Sequence, residues 1–134
     1  MSRILSDGLP AYIFSPPGAP GITIAELWHG KGVPKISELV DPDLESQPAI
    51  LPDAGGMRFR LVMHAPGDRM AMHATDTVDV VVVLSGELCL EVEGSEVVTL
   101  TPGDSVVQLG ARHAWENRGL EPCIAAVFLI GAEP

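Results

Sequence analysis

From Met57 onward the chain is cut into strand-length pieces by turn residues, and this punctuation restricts the fold more than any other feature. The pieces are Met57–Ala65, Met70–Thr75, Val78–Leu84, Glu87–Glu93, Glu96–Thr101, Ser105–Leu109, His113–Asn117 and Cys123–Ile130. Between them lie Pro66-Gly67-Asp68, Ser85-Gly86, Glu93-Gly94, Pro102-Gly103-Asp104, Gly110 and Arg118-Gly119. Glycine supplies positive φ at such turns, while proline and aspartate favour their opening positions. Short strands recurring every ~8–12 residues indicate an all-β sandwich or barrel. No segment holds a 3.6-residue apolar period long enough to make a helix a main element.

The first part of the chain reads differently. Tyr12-Ile13-Phe14 is a short apolar patch and Ile22–Trp28 a strand. Residues 30–56 contain Pro34, Pro42, Pro48, Pro52 and Gly55-Gly56, and read as a flap or arm with a short turn of helix around Lys35–Val40. The expected organisation is residues 1–56 as an N-terminal strand and loop-rich arm packing on a barrel made by residues 57–134. At 134 residues this is one domain.

Alternation assigns faces. Leu88, Leu90 and Val92 share one side of their strand, and Glu87, Cys89, Glu91 and Glu93 the other. Val80–Val83 is apolar on both sides, which predicts a central strand covered on both faces and an Asp79 shielded from water. On the strand from Met57, Phe59, Leu61 and Met63 alternate with Arg58, Arg60, Val62 and His64. That places His64 at an exposed rim. Arg60 is expected in a structural salt bridge, with a substrate carboxylate as the other partner such a guanidinium takes. His29, at a strand end, is expected on the surface.

Composition removes several function classes. The chain carries 18 acidic and 8 basic residues, a net charge of −10, and no basic cluster. This argues against nucleic acid or an anionic membrane as partner. The longest apolar run, Ile124–Ile130, falls far short of the ~20 residues that span a bilayer. No basic segment followed by an apolar stretch opens the chain, so a cytoplasmic location is expected. Cys89 and Cys123 lie inside strands without Cys-x-x-Cys spacing and read as reduced core thiols. A Gly-x-Ser-x-Gly elbow, a phosphate loop and a dinucleotide fingerprint are all missing.

The chemistry-bearing residues fall in two glycine-bounded segments. His73, Thr75, Thr77 and Asp79 are two apart and project to one side of an extended chain; His113, Trp115 and Asn117 do so on another strand. Two imidazoles and a carboxylate converging on one point suit a divalent metal (Fe, Mn, Ni, Co or Zn) with positions open for substrate. Thr75, Gln108, Trp115 and Arg60 are candidates for the pocket wall or for orienting groups behind it, and Met70 and Met72 for pocket or core lining. Asp104 follows a Pro-Gly turn and reads as turn chemistry.

These segments resemble the two motifs of the cupin superfamily. The first motif is glycine, five residues, His-x-His, three or four residues, glutamate, six residues and glycine. The chain has Gly67, His73-x-Thr75, Asp79 and Gly86 at that spacing. The second motif appears as Gly103-Asp104, Gln108-x-Gly110, His113 and Asn117, with one residue fewer between Gly103 and Gln108 than is usual. The wording Gln-x-Gly-x-x-His-x-Trp-x-Asn looks like a subgroup of small single-domain bacterial and fungal cupins. The resemblance covers roughly residues 57–131. It implies a jelly-roll barrel with a metal near its centre, and a homodimer, to which the long N-terminal segment adds a means of packing across a neighbour. Two departures bear on the site. Thr75 replaces a ligand histidine, and Asp79 replaces a glutamate with a carboxylate one methylene shorter.

Three functions follow. The first is a metal-dependent enzyme acting on a small apolar or aromatic molecule, with His73, Asp79 and His113 holding the ion. Lyase, isomerase and oxygenase chemistry are not separated at this stage. The second is a metal-free enzyme in which His73 or His113 is a general base and Asp79 fixes its tautomer. The third is a non-catalytic small-molecule-binding barrel.

Overall fold

The computed structural model describes residue 10 and residues 12–38 and 50–134. Ten strands follow one another: β1 Tyr12–Phe14, β2 Ile22–Lys31, β3 Gly56–His64, β4 Arg69–His73, β5 Thr77–Ser85, β6 Leu88–Val92, β7 Val97–Leu100, β8 Ser105–Gln108, β9 His113–Glu116 and β10 Cys123–Gly131. The sole helical element among the described residues is a 3-10 turn at Ile36–Glu38. It falls inside the turn of helix expected around Lys35–Val40. The rest of that turn, and residues 39–49 of the expected flap, lie outside the described residues.

The strands form two antiparallel sheets, one ordered β1-β2-β3-β10-β5-β8 and the other β4-β9-β6-β7. From β3 to β10 the chain crosses to the other sheet at every step except β6–β7, which makes the barrel a jelly roll. The turn glycines act where expected. Gly67 and Gly86 have φ of 78° and 74°, a region that favours glycine. At Gly86 the chain also passes against the Pro122 carbonyl, so a Cβ there has no room. Asp104 closes its turn by accepting from the Thr101 amide at 2.9 Å and the Thr101 hydroxyl at 3.0 Å, which hold its carboxyl below the usual range.

The core sits between the sheets. Val81, Val83 and Ala125 from the larger sheet meet Leu88, Leu90, Leu100 and Trp115 from the smaller one. Ile22, Ile24 and Val62 extend it toward β2 and β3. Leu88 and Leu90 point in, as their alternation requires. Cys89 and Cys123 are both free and buried.

Two expectations about faces are corrected. β5 is central in its sheet, between β10 and β8, but only Val81 and Val83 of its valine run are buried; Val80 and Val82 are half-buried on the outer side. On β3 the apolar row faces outward. Arg58, Arg60, Val62 and His64 point into the barrel, while Phe59, Leu61 and Met63 lie on the outer surface. The polar row is accommodated inside because β2 places Glu26 directly opposite Arg60.

Candidate functional site

A cavity of about 130 Å³ opens inside the barrel. Its walls include Ile22, Ile24, Val62, Val81, Leu88 and Val127, and its polar groups are Arg60, His64, His73, Thr75, Asp79 and His113. Of the residues singled out in the sequence, His73, Asp79, His113, Thr75, Trp115 and Arg60 all reach this one space.

A β-bulge sets the position of His73. In the β4–β9 ladder Met70 pairs with Trp115 and His73 with His113, so β4 holds one residue more than its partner over that interval. Strict alternation from Met70 would turn Met72 inward and His73 out. The bulge re-aims the chain so that Met70 and His73 both line the cavity. The rings of His73 and His113 then lie 4.5 Å apart, tilted by 54°. Trp115 stands edge-on to His113 at 5.8 Å.

Both imidazoles are held in the same way. His73 Nδ1 donates to the Ala71 carbonyl at 2.7 Å, and His113 Nδ1 donates to the Ala111 carbonyl at 2.7 Å. A carbonyl only accepts, so Nδ1 carries the proton and Nε2 of the neutral ring is left with a lone pair. His113 Nε2 is buried and has no protein partner among the described residues. Gln108 does not line the cavity. Its Nε2 donates to the Ala111 carbonyl at 3.3 Å, so it braces the carbonyl that orients His113.

The second polar chain runs from Thr75 to Asp79. Thr77 Oγ1 donates to Asp79 Oδ1 at 2.6 Å and lies 2.7 Å from Thr75 Oγ1. Thr77 has a single hydroxyl proton and gives it to the carboxylate, so Thr75 donates to Thr77. Thr75 therefore turns lone pairs toward the cavity, backed by a buried carboxylate two hydroxyls away.

Arg60 is in the expected ion pair. Its Nη2 lies 2.8 Å from Glu26 Oε2, close enough for strong attraction though off the hydrogen-bond axis, and its Nη1 donates to the Ile50 carbonyl at 2.8 Å. Arg58 Nη1 lies 3.9 Å from the same glutamate oxygen. Burial pulls the Arg60 guanidinium below its usual pKa against the opposing pull of Glu26.

His64 corrects its expected place at the rim. It is 4% exposed and lines the cavity from β3. Burial lowers its pKa to about 4, with Asp68 acting weakly in the other direction, so the ring is neutral near pH 7. The available signal was parity: His64 shares its side of β3 with Val62, a core residue. His29, expected at the surface, is half-buried in a separate cleft of about 290 Å³ between residues 29–32 and 51–58.

The donor set meets a divalent metal only in part. His73 and His113 present imidazoles oriented as metal-ligating histidines are, each with its other nitrogen on a carbonyl. The next motif position holds a threonine hydroxyl, a poor ligand already engaged with Thr77, and Asp79 Oδ1 takes the Thr77 proton. Among the described residues no three His, Cys, Asp or Glu side chains come together as a metal-holding group. The residues present thus supply two imidazole ligands without completing a three-ligand set. Among the described residues, too, no helix is long and apolar enough to cross a membrane.

An all-β jelly roll with two facing histidines inside defines the class as a double-stranded β-helix barrel. Residues 60–129 match the Cupin domain family, and the chain belongs to that family. It is 36% identical over 100 residues to Oryzines biosynthesis cluster protein J of Aspergillus oryzae, a match covering 74% of this chain and 55% of that protein. The chain thus spans about half the length of that relative. Among solved structures, the DMSP lyase DddQ from Ruegeria pomeroyi is similar at 26% identity, with a TM-score of 0.52 over 60% of this chain and 40% of that one. The Cupin_2 domain of an XRE family transcriptional regulator from Enterobacter cloacae shares the fold at 22% identity, with a TM-score of 0.55 over 84% of this chain and 99% of that one.

Proposed function

We propose that this cupin acts on a small organic molecule by proton transfer, with His113 and His73 as the bases. The observation that carries the reading is the buried, unpartnered Nε2 of His113, facing His73 inside an apolar-walled cavity. The Nδ1–H of each ring is fixed on a backbone carbonyl, so Nε2 is the atom that accepts a proton. Thr75, Thr77 and Asp79 form the complementary arm. A ligand hydroxyl proton passes to Thr75 while Thr75 passes its own to Thr77 and Thr77 to Asp79. A cavity of about 130 Å³ suits a body on the order of one aromatic ring, since cavities of ~150 Å³ take benzene.

The comparisons support the substrate class at a coarse level. One relative is named for a biosynthesis cluster and one structural neighbour is a lyase. The test is deuterium wash-in from solvent into small carbon acids, from pyruvate to phenylpyruvate, followed by NMR. Exchange accelerated by the protein, lost in His113→Ala and insensitive to chelators, is the expected result. No acceleration with any member of the series would remove the catalytic reading and leave a binding barrel.

A second reading has one observation in its favour. The same orphaned His113 Nε2, together with His73, offers two ligands to Fe, Mn, Ni, Co or Zn. Elemental analysis of the untagged protein separates the two readings: near-stoichiometric metal, lost in both His73→Ala and His113→Ala, would replace the proton-transfer scheme.

A further inference from the structure

The inward polar row of β2 and β3 does not stop at Glu26 and Arg60. Beyond the β2 bulge, His29 stands opposite Arg58 and Lys31 opposite Gly56. Opposite residues project to the same side of a sheet, so three nitrogen-bearing side chains gather where β2 ends and β3 begins. The fourth corner has no room for a side chain. A Cβ on Gly56 would come within 3.1 Å of the Asp53 carbonyl and 3.2 Å of the Gly30 carbonyl, so no side chain answers Lys31 across the ladder. These residues line a cleft of about 290 Å³, more than twice the barrel cavity. Leu51, Pro52 and Ala54 form its other wall, and Asp53 is the one carboxylate residue on its lining.

The chain treats its other cations differently. Arg69, Arg112 and Arg118 each meet a glutamate within 3.4 Å, and Arg60 has Glu26 at 2.8 Å. Lys31 is in no ion pair among the described residues, and Arg58 reaches Glu26 at 3.9 Å. His29 Nε2 is buried and finds no hydrogen-bond partner among the described residues. Like charges held close on one face of a sheet repel, and a buried polar atom left unanswered is costly. The chain has a net charge of −10 and only 8 basic residues, yet two of them share this cleft with a histidine. An anion seated there removes both costs at once.

We propose that this cleft is a second ligand site, distinct from the barrel cavity, for a small organic anion with a carboxylate on an apolar body. The carboxylate sits against Lys31 and Arg58, and one of its oxygens accepts from the His29 Nε2–H. A guanidinium offers a carboxylate parallel donors, and the ammonium adds a point charge. The body lies on Leu51, Pro52 and Ala54. At the ~30 Å³ that a water occupies, the cleft takes about ten non-hydrogen atoms, the size of a simple aromatic acid. Inorganic phosphate would use the charged wall alone. The site is independent of the chemistry at His73 and His113, which line the other cavity; Leu51 is the one residue the two linings share.

Titration of the full chain with benzoate and with phenylacetate, followed residue by residue in ¹⁵N NMR, tests this. Saturable shifts are expected at the amides of Lys31, Gly32, Ala54 and Gly56, with a Kd on the order of a millimolar. Benzyl alcohol has the body without the charge, and inorganic phosphate is an anion without the body. Each is expected to bind at least about tenfold more weakly. Lys31→Glu, at an exposed position, is expected to weaken benzoate binding at least about tenfold with an unchanged melting temperature. His113→Ala leaves the cleft shifts intact. No saturable shift at the cleft with either acid overturns the proposal. So does benzyl alcohol or phosphate binding as tightly as benzoate, or Lys31→Glu binding as the wild type does. Shifts confined to Thr75, His113 and Trp115 would place the acid in the barrel cavity and overturn it too.

Discussion

His73 and His113 face each other across the β4–β9 ladder with ring centroids 4.5 Å apart, and each ring is tied by Nδ1 to the carbonyl two residues before it. Two strands thus deliver the same nitrogen, Nε2, in the same tautomer. The third imidazole of a full cupin site would come from position 75, where Thr75 instead joins the hydroxyl chain to Asp79. Thr75→His restores that ligand and breaks the chain. The expected outcome is a rise in Zn²⁺ or Ni²⁺ affinity of at least about tenfold, read by competition titration. Unchanged affinity would show that the two histidines are not half of a metal site.

His64 makes stability depend on pH in a defined window. Its folded pKa is about 4, below the 6.5 of the free side chain. Between those values the unfolded chain binds a proton that the folded chain refuses. The contribution is therefore intact above pH 6.5, falls as pH drops through the window, and levels off below about 4. Between pH 7 and pH 5 the loss is about 2 kcal/mol. Urea unfolding of the wild type and of His64→Leu at both pH values isolates it, because the carboxylates titrate alike in both proteins. Parallel pH dependence in the two would mean that His64 is not held neutral by burial.

His64 also marks how far alternation alone can be read. The turn glycines and the strand count after residue 57 were legible from local spacing, and the meeting of His73, Asp79 and His113 at one cavity from the pair of motifs that carry them. Face assignment was legible only where the apolar row points inward. On β6 Leu88 and Leu90 do so; on β3 the rule inverts, because Glu26 on β2 receives the inward arginines. The β4 bulge was not legible either. It exists because β4 must match β9 between Met70–Trp115 and His73–His113, a constraint set by a strand forty residues away. Gln108 was read as a pocket-wall or orienting residue; it braces the Ala111 carbonyl that holds His113, a partner that side-chain spacing does not reveal.

Asn117, the last residue of the second motif, ties the barrel rather than the ligand. It is fully buried; its Nδ2 donates to the His64 carbonyl at 3.0 Å and to the Glu121 carbonyl at 2.9 Å, and its Oδ1 accepts from the Gly119 amide at 2.9 Å. One side chain thus joins the end of β3 to the turn before β10. Asn117→Ala leaves these backbone groups without that partner and is expected to cost about 3 kcal/mol. Asn117→Asp keeps the acceptor but loses both donors, and should cost nearly as much. A melting temperature within a degree or so of wild type for either variant would contradict the role.

Glu26 is the residue on which the inverted face of β3 depends. Its Oε2 lies 2.8 Å from Arg60 Nη2 and 3.9 Å from Arg58 Nη1, and all three residues are buried. A buried pair adds little net stability, because desolvation offsets the attraction, but removing one partner strands the other's charge. Here one carboxylate faces two guanidiniums, so the two sides of the cluster are not equivalent. Glu26→Leu removes the carboxylate that Arg60 and Arg58 share and is expected to cost about 3–5 kcal/mol. Arg60→Met leaves Glu26 beside Arg58 and is expected to cost clearly less. Urea unfolding of both variants reads the difference. Equal losses would mean that the arginines are stabilised independently of Glu26, and that the polar inner row of β3 has another origin.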